Sequence, residues 1–297
     1  MKRYIQFIIA LLAFFPFLTS CEQDNPDPEN SIIVVNKKDR TPFDDWLDNY
    51  FVHPYNIQFK YRYQLDESTL SYYSVPADYE SSIMMAHIVK FMCIDTYDEV
   101  AGIDFTRRYF PKMFFLMGEW EYKNNGTMIL GTAEGGRKIK LAGINHLKSY
   151  ARDPEQLNHY YLKTIHHEFT HILNQTKDFP VKFSQVTPET YVTDSWNDTD
   201  SDYLKRGYIS KYSQHSDRED FAEMMSMYIT NSPEKWESWL TTAGATGRSS
   251  LEAKLDIVRE YMKTSFSIDL EELRDVILRR EKELAAGDVD LESLEIK

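Results

Sequence analysis

Apolar and polar positions divide the chain into three regimes. Residues 5 to 18 run apolar except for Gln6 and Pro16. Residues 22 to 30 are acidic, carry two prolines and offer no apolar anchor. From about 41 onward apolar positions recur to the end with the periods of folded elements. Trp46 to Phe51 predicts a short helix. Ile57 to Tyr63 alternates with period two, the pattern of a half-buried strand. Tyr79 to Asp95 is apolar and free of Gly and Pro, which predicts a longer helix. Lys112 to Tyr122, Thr127 to Thr132 and Arg137 to Asn145 read as three strands of a meander, turning at Asn124-Asn125-Gly126 and Glu134-Gly135-Gly136. From 153 the pattern is helical. Asp153-Pro154-Glu155-Gln156 supplies an N-cap, a Pro at the first helical position and a Gln three residues after the cap, for a helix running to about Lys177. Residues 178 to 216 are aromatic, polar and irregular. Further helices are expected near 218–230, 233–242, 249–264 and 269–285. The expected fold class is α+β: a mixed, mostly antiparallel sheet followed by a helical half. It forms a single domain over 41–297, with 41–152 as the mixed part and 153–297 as the helical part.

The start of the chain has its own logic. Lys2 and Arg3, the apolar run and the small residues Thr19 and Ser20 describe a secretory signal over 1–20, too short for a spanning helix. Leu18-Thr19-Ser20-Cys21 resembles the lipobox of bacterial lipoproteins, which implies cleavage before Cys21 and lipid attachment to its thiol. Residues 21–40 then form an extended tether. With 34 basic and 47 acidic residues the chain carries −13, and −15 once Lys2 and Arg3 are removed. That balance argues against a nucleic-acid partner, since nothing offsets phosphate repulsion. With two cysteines, one of them at the lipidation site, no disulfide framework exists, and Cys93 in its apolar stretch reads as a buried, inert thiol.

The chemistry concentrates at His167-Glu168-Phe169-Thr170-His171. On a helix, residues four apart share a face, so both imidazoles reach one ion, and imidazole nitrogens suit Zn²⁺. Glu168 adjoins the first ligand and can serve as general base toward a water. Given 8 His and 23 Glu in 297 residues, chance supplies about 0.02 such motifs per chain. Two His and a water leave a catalytic zinc one protein ligand short. Glu219, in Glu219-x-x-Ala222, has the look of the third ligand in gluzincin-type peptidases. Glu223, one turn on, fits a carboxylate that accepts a proton from a ligand His. Glu223 as ligand is the rival assignment, and His215 a third. Hydrolysis of a carbonyl also needs an oxyanion donor, for which Tyr212 and Tyr208, shortly before the third-ligand helix, are the candidates. His166 points about 100° from the motif face and reads as supporting or packing. His87 reads as a satisfied core residue. Asp198-x-Asp200-x-Asp202 hints at calcium, but an EF-hand loop would need Gly where Tyr203 stands and Glu where Ile209 stands, so a solvated acidic loop is expected. The helix from Leu270 to Ala285 reads as a packed surface helix.

Several segments together resemble the substrate import-associated zinc metallohydrolase lipoproteins of Gram-negative bacteria: Leu18-Thr19-Ser20-Cys21, Pro42-Phe43-Asp44-Asp45-Trp46-Leu47, Pro54-Tyr55-Asn56-Ile57, Leu130 to Gly136, His166 to Leu173 and Glu219 to Glu223. The resemblance implies a zincin-like metallopeptidase domain with one Zn²⁺, anchored to the outer membrane through Cys21. It also implies association with a TonB-dependent import receptor and its surface binding lipoprotein. The expected activity is hydrolysis of a peptide or protein, with Lys138 to Ile144 as a strand that could align an extended peptide by edge pairing. The alternative is a non-catalytic or weakly active zinc-binding accessory lipoprotein of the same importer. Glycan hydrolysis is weaker, because no second carboxylate can be assigned opposite Glu168.

Overall fold

Thr41 opens the folded part by capping its first helix. Its side chain accepts from the Asp44 amide while the Asp44 carboxylate accepts from the Thr41 amide, a reciprocal cap. The structure is a computed structural model that describes residues 40–67, 75–122, 128–129, 131–134, 137–188, 190–197 and 202–297. The expected signal, Cys21, most of the tether, the Asn124-Asn125-Gly126 turn, Gly135, Gly136, Asp198 and Asp200 lie outside the described residues.

In chain order the elements are α1 (Pro42–Leu47), which continues through a π-helical stretch at Asp48–Val52 into α2 (His53–Tyr55), and β1 (Gln58–Lys60). Next come α3 (Tyr79–Ile88), extended through π-helical Val89–Ile94 into α4 (Asp95–Ala101), and α5 (Ile103–Tyr109). The strands β2 (Met113–Leu116), β3 (Glu121–Tyr122), β4 (Met128–Ile129), β5 (Gly131–Glu134) and β6 (Lys138–Leu141) follow. The helical part comprises α6 (Pro154–Leu157), a π-helical stretch at Asn158–Leu162, α7 (Lys163–Thr176), α8 (Asp217–Ile229), α9 (Pro233–Phe266) and α10 (Leu270–Ala286). Thr41–Lys297 forms one compact unit. Among the described residues no helix is long and apolar enough to cross a membrane.

The sheet corrects the expected meander. Its order is β1-β2-β6-β5, with β1 parallel to β2, β2 parallel to β6, and only β5 antiparallel, against β6. It is therefore a mainly parallel sheet, not a mostly antiparallel one. The expected strand from Lys112 to Tyr122 stops at Leu116. Met117 bridges to Pro76, and Gly118 sits so close to the Pro76 carbonyl that a Cβ would lie 2.2 Å from it. The chain leaves the sheet there, builds β3 and β4 as a separate antiparallel pair, and re-enters at β5. The β5–β6 pairing is the antiparallel hairpin that its turn residues imply, with Glu134 opposite Lys138. The expected strand from Thr127 splits between the two sheets. A second correction follows: β6 has neighbours on both sides, so Lys138 to Ile144 offers no free edge.

Most helical expectations hold to within a few residues. Asp153 accepts from the Gln156 amide at 3.1 Å and starts α6. The two helices expected over 233–242 and 249–264 share the run Pro233–Phe266 and are separated by a kink at Gly244, whose non-helical φ of 67° and ψ of −175° suit only glycine. The helix α5 had no separate signal, and Gly102, with φ 83°, divides it from α4. Helices therefore precede the sheet as well as follow it.

One face of the sheet positions the HExxH helix. Phe59, Phe114 and Ile139 share a register row and are buried. Phe114 lies 6.0 Å from Phe110, which lies 5.0 Å from Phe169 of α7. Tyr97 and Phe105 complete a cage around Phe169. Burying Phe169, Ile165, Ile172 and Leu173 on this side turns the motif histidines toward α8. The other face of the sheet carries Lys140, whose ammonium meets the buried Glu121 carboxylate from β3 at 2.5 Å.

Candidate metal centre

Helix α7 packs along α8, and their contact brings three donor atoms together. His167 Nε2 lies 2.9 Å from Glu219 Oε2, His171 Nε2 lies 3.1 Å from the same oxygen, and the two ring nitrogens are 3.0 Å apart. The rings cross at 82° with centroids 4.7 Å apart, so both edges face one point. Glu219 occupies the third position of α8, after the Ser216 cap that accepts from its amide at 3.3 Å. A Ser-x-x-Glu start is the pattern of a capping box, in which the Glu side chain would fold back to the cap. Here that carboxylate points instead to the two imidazoles.

The donor set fits zinc. Tetrahedral bonds of about 2.0–2.1 Å put neighbouring ligand atoms about 3.3 Å apart, close to the observed triangle. The electrostatics agree. Burial opposes a charge on His167, yet the Glu219 and Glu223 carboxylates outweigh it and raise the imidazole to about 9. Burial likewise works against Glu219, but His167 and His171 hold its carboxyl well below the usual range. A pocket that stabilises positive charge at this point stabilises a cation there.

Glu223 stands behind His167, on the side of the ring away from Glu219. It is 1% exposed, and its Oε1 lies 2.8 Å from His167 Nδ1, although the N–H does not point squarely at it. Lys163 Nζ stands 2.8 Å from the same Oε1, and Ser210 Oγ donates to Oε2 at 2.5 Å. Burial opposes its charge, while Lys163 and His167 hold the carboxyl well below its usual range.

Glu168 is half-buried beside this cluster, and its charge is felt by both His167 and Tyr212. Tyr212 lies with its ring 5.9 Å from that of His167 and feels the charge of Glu219. Burial first, then the Glu219, Glu168 and Glu223 charges, push that hydroxyl far above its ordinary value, so it stays protonated as a donor. Trp196 packs edge-on against Tyr212 at 5.0 Å. The other sequence candidates are not brought to the cluster. Tyr208 bonds Thr190 at 2.5 Å and lies under the Lys254 ammonium. His215 stands 3.6 Å from Asp194. His166 turns into the core, with Nδ1 3.0 Å from the Tyr97 hydroxyl, and burial lowers it to about 3. His87 is bonded to the Ser293 carbonyl at 2.9 Å. Cys93 is fully buried, which pushes its thiol up.

The sequence reading missed Lys163 and Ser210, and also the buried pair of Asp220 and Lys254 at 2.6 Å. Only Lys163 had a signal, its spacing of four from His167. Desolvation raises Asp220 to about 6 in spite of that lysine, and Lys254 also donates to the Gly207 carbonyl at 2.8 Å. This pair ties α9 to the residue next to Glu219.

A His-His-Glu triad on two packed helices, with a Glu beside the first His, is the arrangement of a zinc-dependent peptidase. Comparison with known proteins agrees. The family described as "Putative zinc-binding metallo-peptidase" matches residues 36–271, and the chain belongs to that family. A solved structure from Bacteroides caccae ATCC 43185, titled as a putative zinc-binding metallo-peptidase, is 36% identical with a TM-score of 0.75, over 89% of this chain and 100% of that one. Among curated proteins there is no match.

Proposed function

We propose that the chain is a zinc-dependent peptidase in which His167, His171 and Glu219 hold one ion and Glu168 is the general base. The observation that carries this is the convergence of three donor atoms at 2.9–3.1 Å beside Glu168. A zinc ion held there would supply Lewis acidity to a water and to the scissile carbonyl. Glu168 takes the proton of the attacking water and delivers it to the leaving amine. Tyr212, kept protonated, turns its hydroxyl to the developing oxyanion. Glu223 holds the His167 ring in the orientation that presents Nε2. The outer side of β5, the edge strand that packs against α7, is where an extended peptide would pair.

The lipobox-like segment supports a second layer of the proposal. The domain is tethered through Cys21 to the outer membrane, and works beside a TonB-dependent receptor and its surface binding lipoprotein. The decisive experiment on the chemistry is Glu168→Gln. The amide keeps the side-chain shape and removes the base, so zinc content should be unchanged while cleavage of a peptide library falls by about 10²–10⁴-fold. If the wild-type protein, loaded with zinc, cleaves no peptide and Glu168→Gln matches it in every respect, the peptidase reading fails. A zinc-binding accessory role then takes its place.

A further inference from the structure

Beyond the ligands themselves, one buried carboxylate organises the surroundings of the centre, and two of its partners, Lys163 and Ser210, have no part in the chemistry proposed above. Glu223 is surrounded by three groups, two from α7 and one from the segment before α8. Lys163 begins α7, one turn before His167 on the same face. His167 presents Nδ1, the nitrogen not aimed at Glu219. Ser210 belongs to the segment just before α8. The Lys163 ammonium and the His167 ring meet the same oxygen, Oε1, each at 2.8 Å. The Ser210 hydroxyl holds the other oxygen. Ser210 is in turn bonded to Ser213, hydroxyl to hydroxyl at 3.1 Å and with the Ser213 amide donating to its oxygen at 3.1 Å, so the turn that contains Tyr212 is closed on Glu223.

A carboxylate with 1% exposure needs a counter-charge and a full set of donors. His167 cannot be that counter-charge while its other nitrogen binds a metal, because a ligating imidazole is neutral. The described residues bring one lysine to Glu223, and it is Lys163. We infer that Lys163 is a positioning residue for the metal centre, acting through Glu223 with Ser210 as the second brace. Without the ammonium, the buried carboxylate carries an uncompensated charge that the fold relieves by withdrawing it from the imidazole. His167 then loses the partner that orients its ring.

The inference rests on the zinc reading above, and the test separates the two. Zinc affinity of the full-length protein is measured by competition with a chromophoric chelator, alongside the visible spectrum of the Co²⁺-substituted protein. Lys163→Met should weaken zinc binding by about 10–100-fold, the range for loss of a supporting residue, and shift the cobalt bands. Lys163→Arg, which restores the charge, should recover most of the loss. In a Glu223→Gln background Lys163→Met should add little, because the path through Glu223 is already cut. A wild-type protein that binds no zinc overturns the metal reading. A wild-type protein that binds zinc, with Lys163→Met equal to it or tighter, overturns only the role of Lys163. So does an equal loss in Lys138→Met, whose ammonium pairs with Glu67 at 2.8 Å away from the centre, since that would make the effect one of overall charge.

Discussion

Glu219 and Glu223 sit one turn apart on α8, and alanine at each should produce opposite signatures. Glu219→Ala removes the oxygen that lies 2.9 and 3.1 Å from the two imidazoles. Two protein donors remain, so zinc affinity should fall beyond the about 10–100-fold expected for a supporting residue, a loss above about 2.7 kcal/mol. The metal-free fold loses the partner of the buried His167 imidazole, but it should lose less stability than in Glu223→Ala, because Glu219 itself is 19% exposed. Glu223→Ala should do the reverse. It strands the Lys163 ammonium and the Ser210 hydroxyl, and breaking a buried pair from one side costs about 3–5 kcal/mol. Lys163 is 24% exposed and regains some water, which places the cost near the lower end, about 3 kcal/mol. Zinc binding should weaken as well, though less than in Glu219→Ala. Chelator competition reads the first quantity, and urea unfolding of the metal-free protein reads the second. If Glu223→Ala loses more zinc than Glu219→Ala, the ligand is Glu223. If the two metal-free proteins unfold alike, the bracing role given to Glu223 is wrong.

Three further outcomes are expected. Burial pushes the Glu281 carboxyl on α10 from 4.5 up to about 7, so the fold favours its protonated form. That contribution is fully present below pH 4.5 and is lost as pH rises through 7, so Glu281→Gln should add about 1–3 kcal/mol at pH 8 and almost nothing at pH 4; equal effects of the substitution at both pH values in urea melts would refute it. At Gly244 a Cβ would meet nothing within 4 Å, so Gly244→Ala should cost only its backbone strain, about 1–3 kcal/mol, with activity retained; a neutral substitution in thermal unfolding would show that the bend adjusts freely. Cys21→Ala should release the protein from the membrane fraction or leave it unprocessed, and unchanged partition with no lipid on Cys21 would remove the anchor from the proposal.

What the sequence determined by itself is what short-range geometry controls. A helix of 3.6 residues per turn puts His167 and His171 on one face whatever surrounds them, so the first two donors needed no tertiary knowledge. The same holds for the Asp153 cap, the end of α7 near Lys177, the boundaries of α8, and the β5–β6 hairpin, where each local signal has one geometric outcome. Strand direction was not legible. Alternation of apolar residues reports that a strand has a buried face, and parallel and antiparallel neighbours bury it equally well. Only the exit of the chain at Gly118 put β6 beside β2 in the same direction. The choice of Tyr212 over Tyr208 as the neighbour of the cluster was also tertiary, because an irregular segment has no period from which to read which side chain turns inward. Glu219 and Glu223 share a helix face, so sequence could rank them but not separate them. The approach of α8 to α7 separates them, by placing one carboxylate against both Nε2 atoms and the other behind Nδ1. The charge that balances Glu223 comes from Lys163 on the opposing helix; its spacing of four from His167 puts it on the same face, but which carboxylate it meets is decided only by the packing of the two helices.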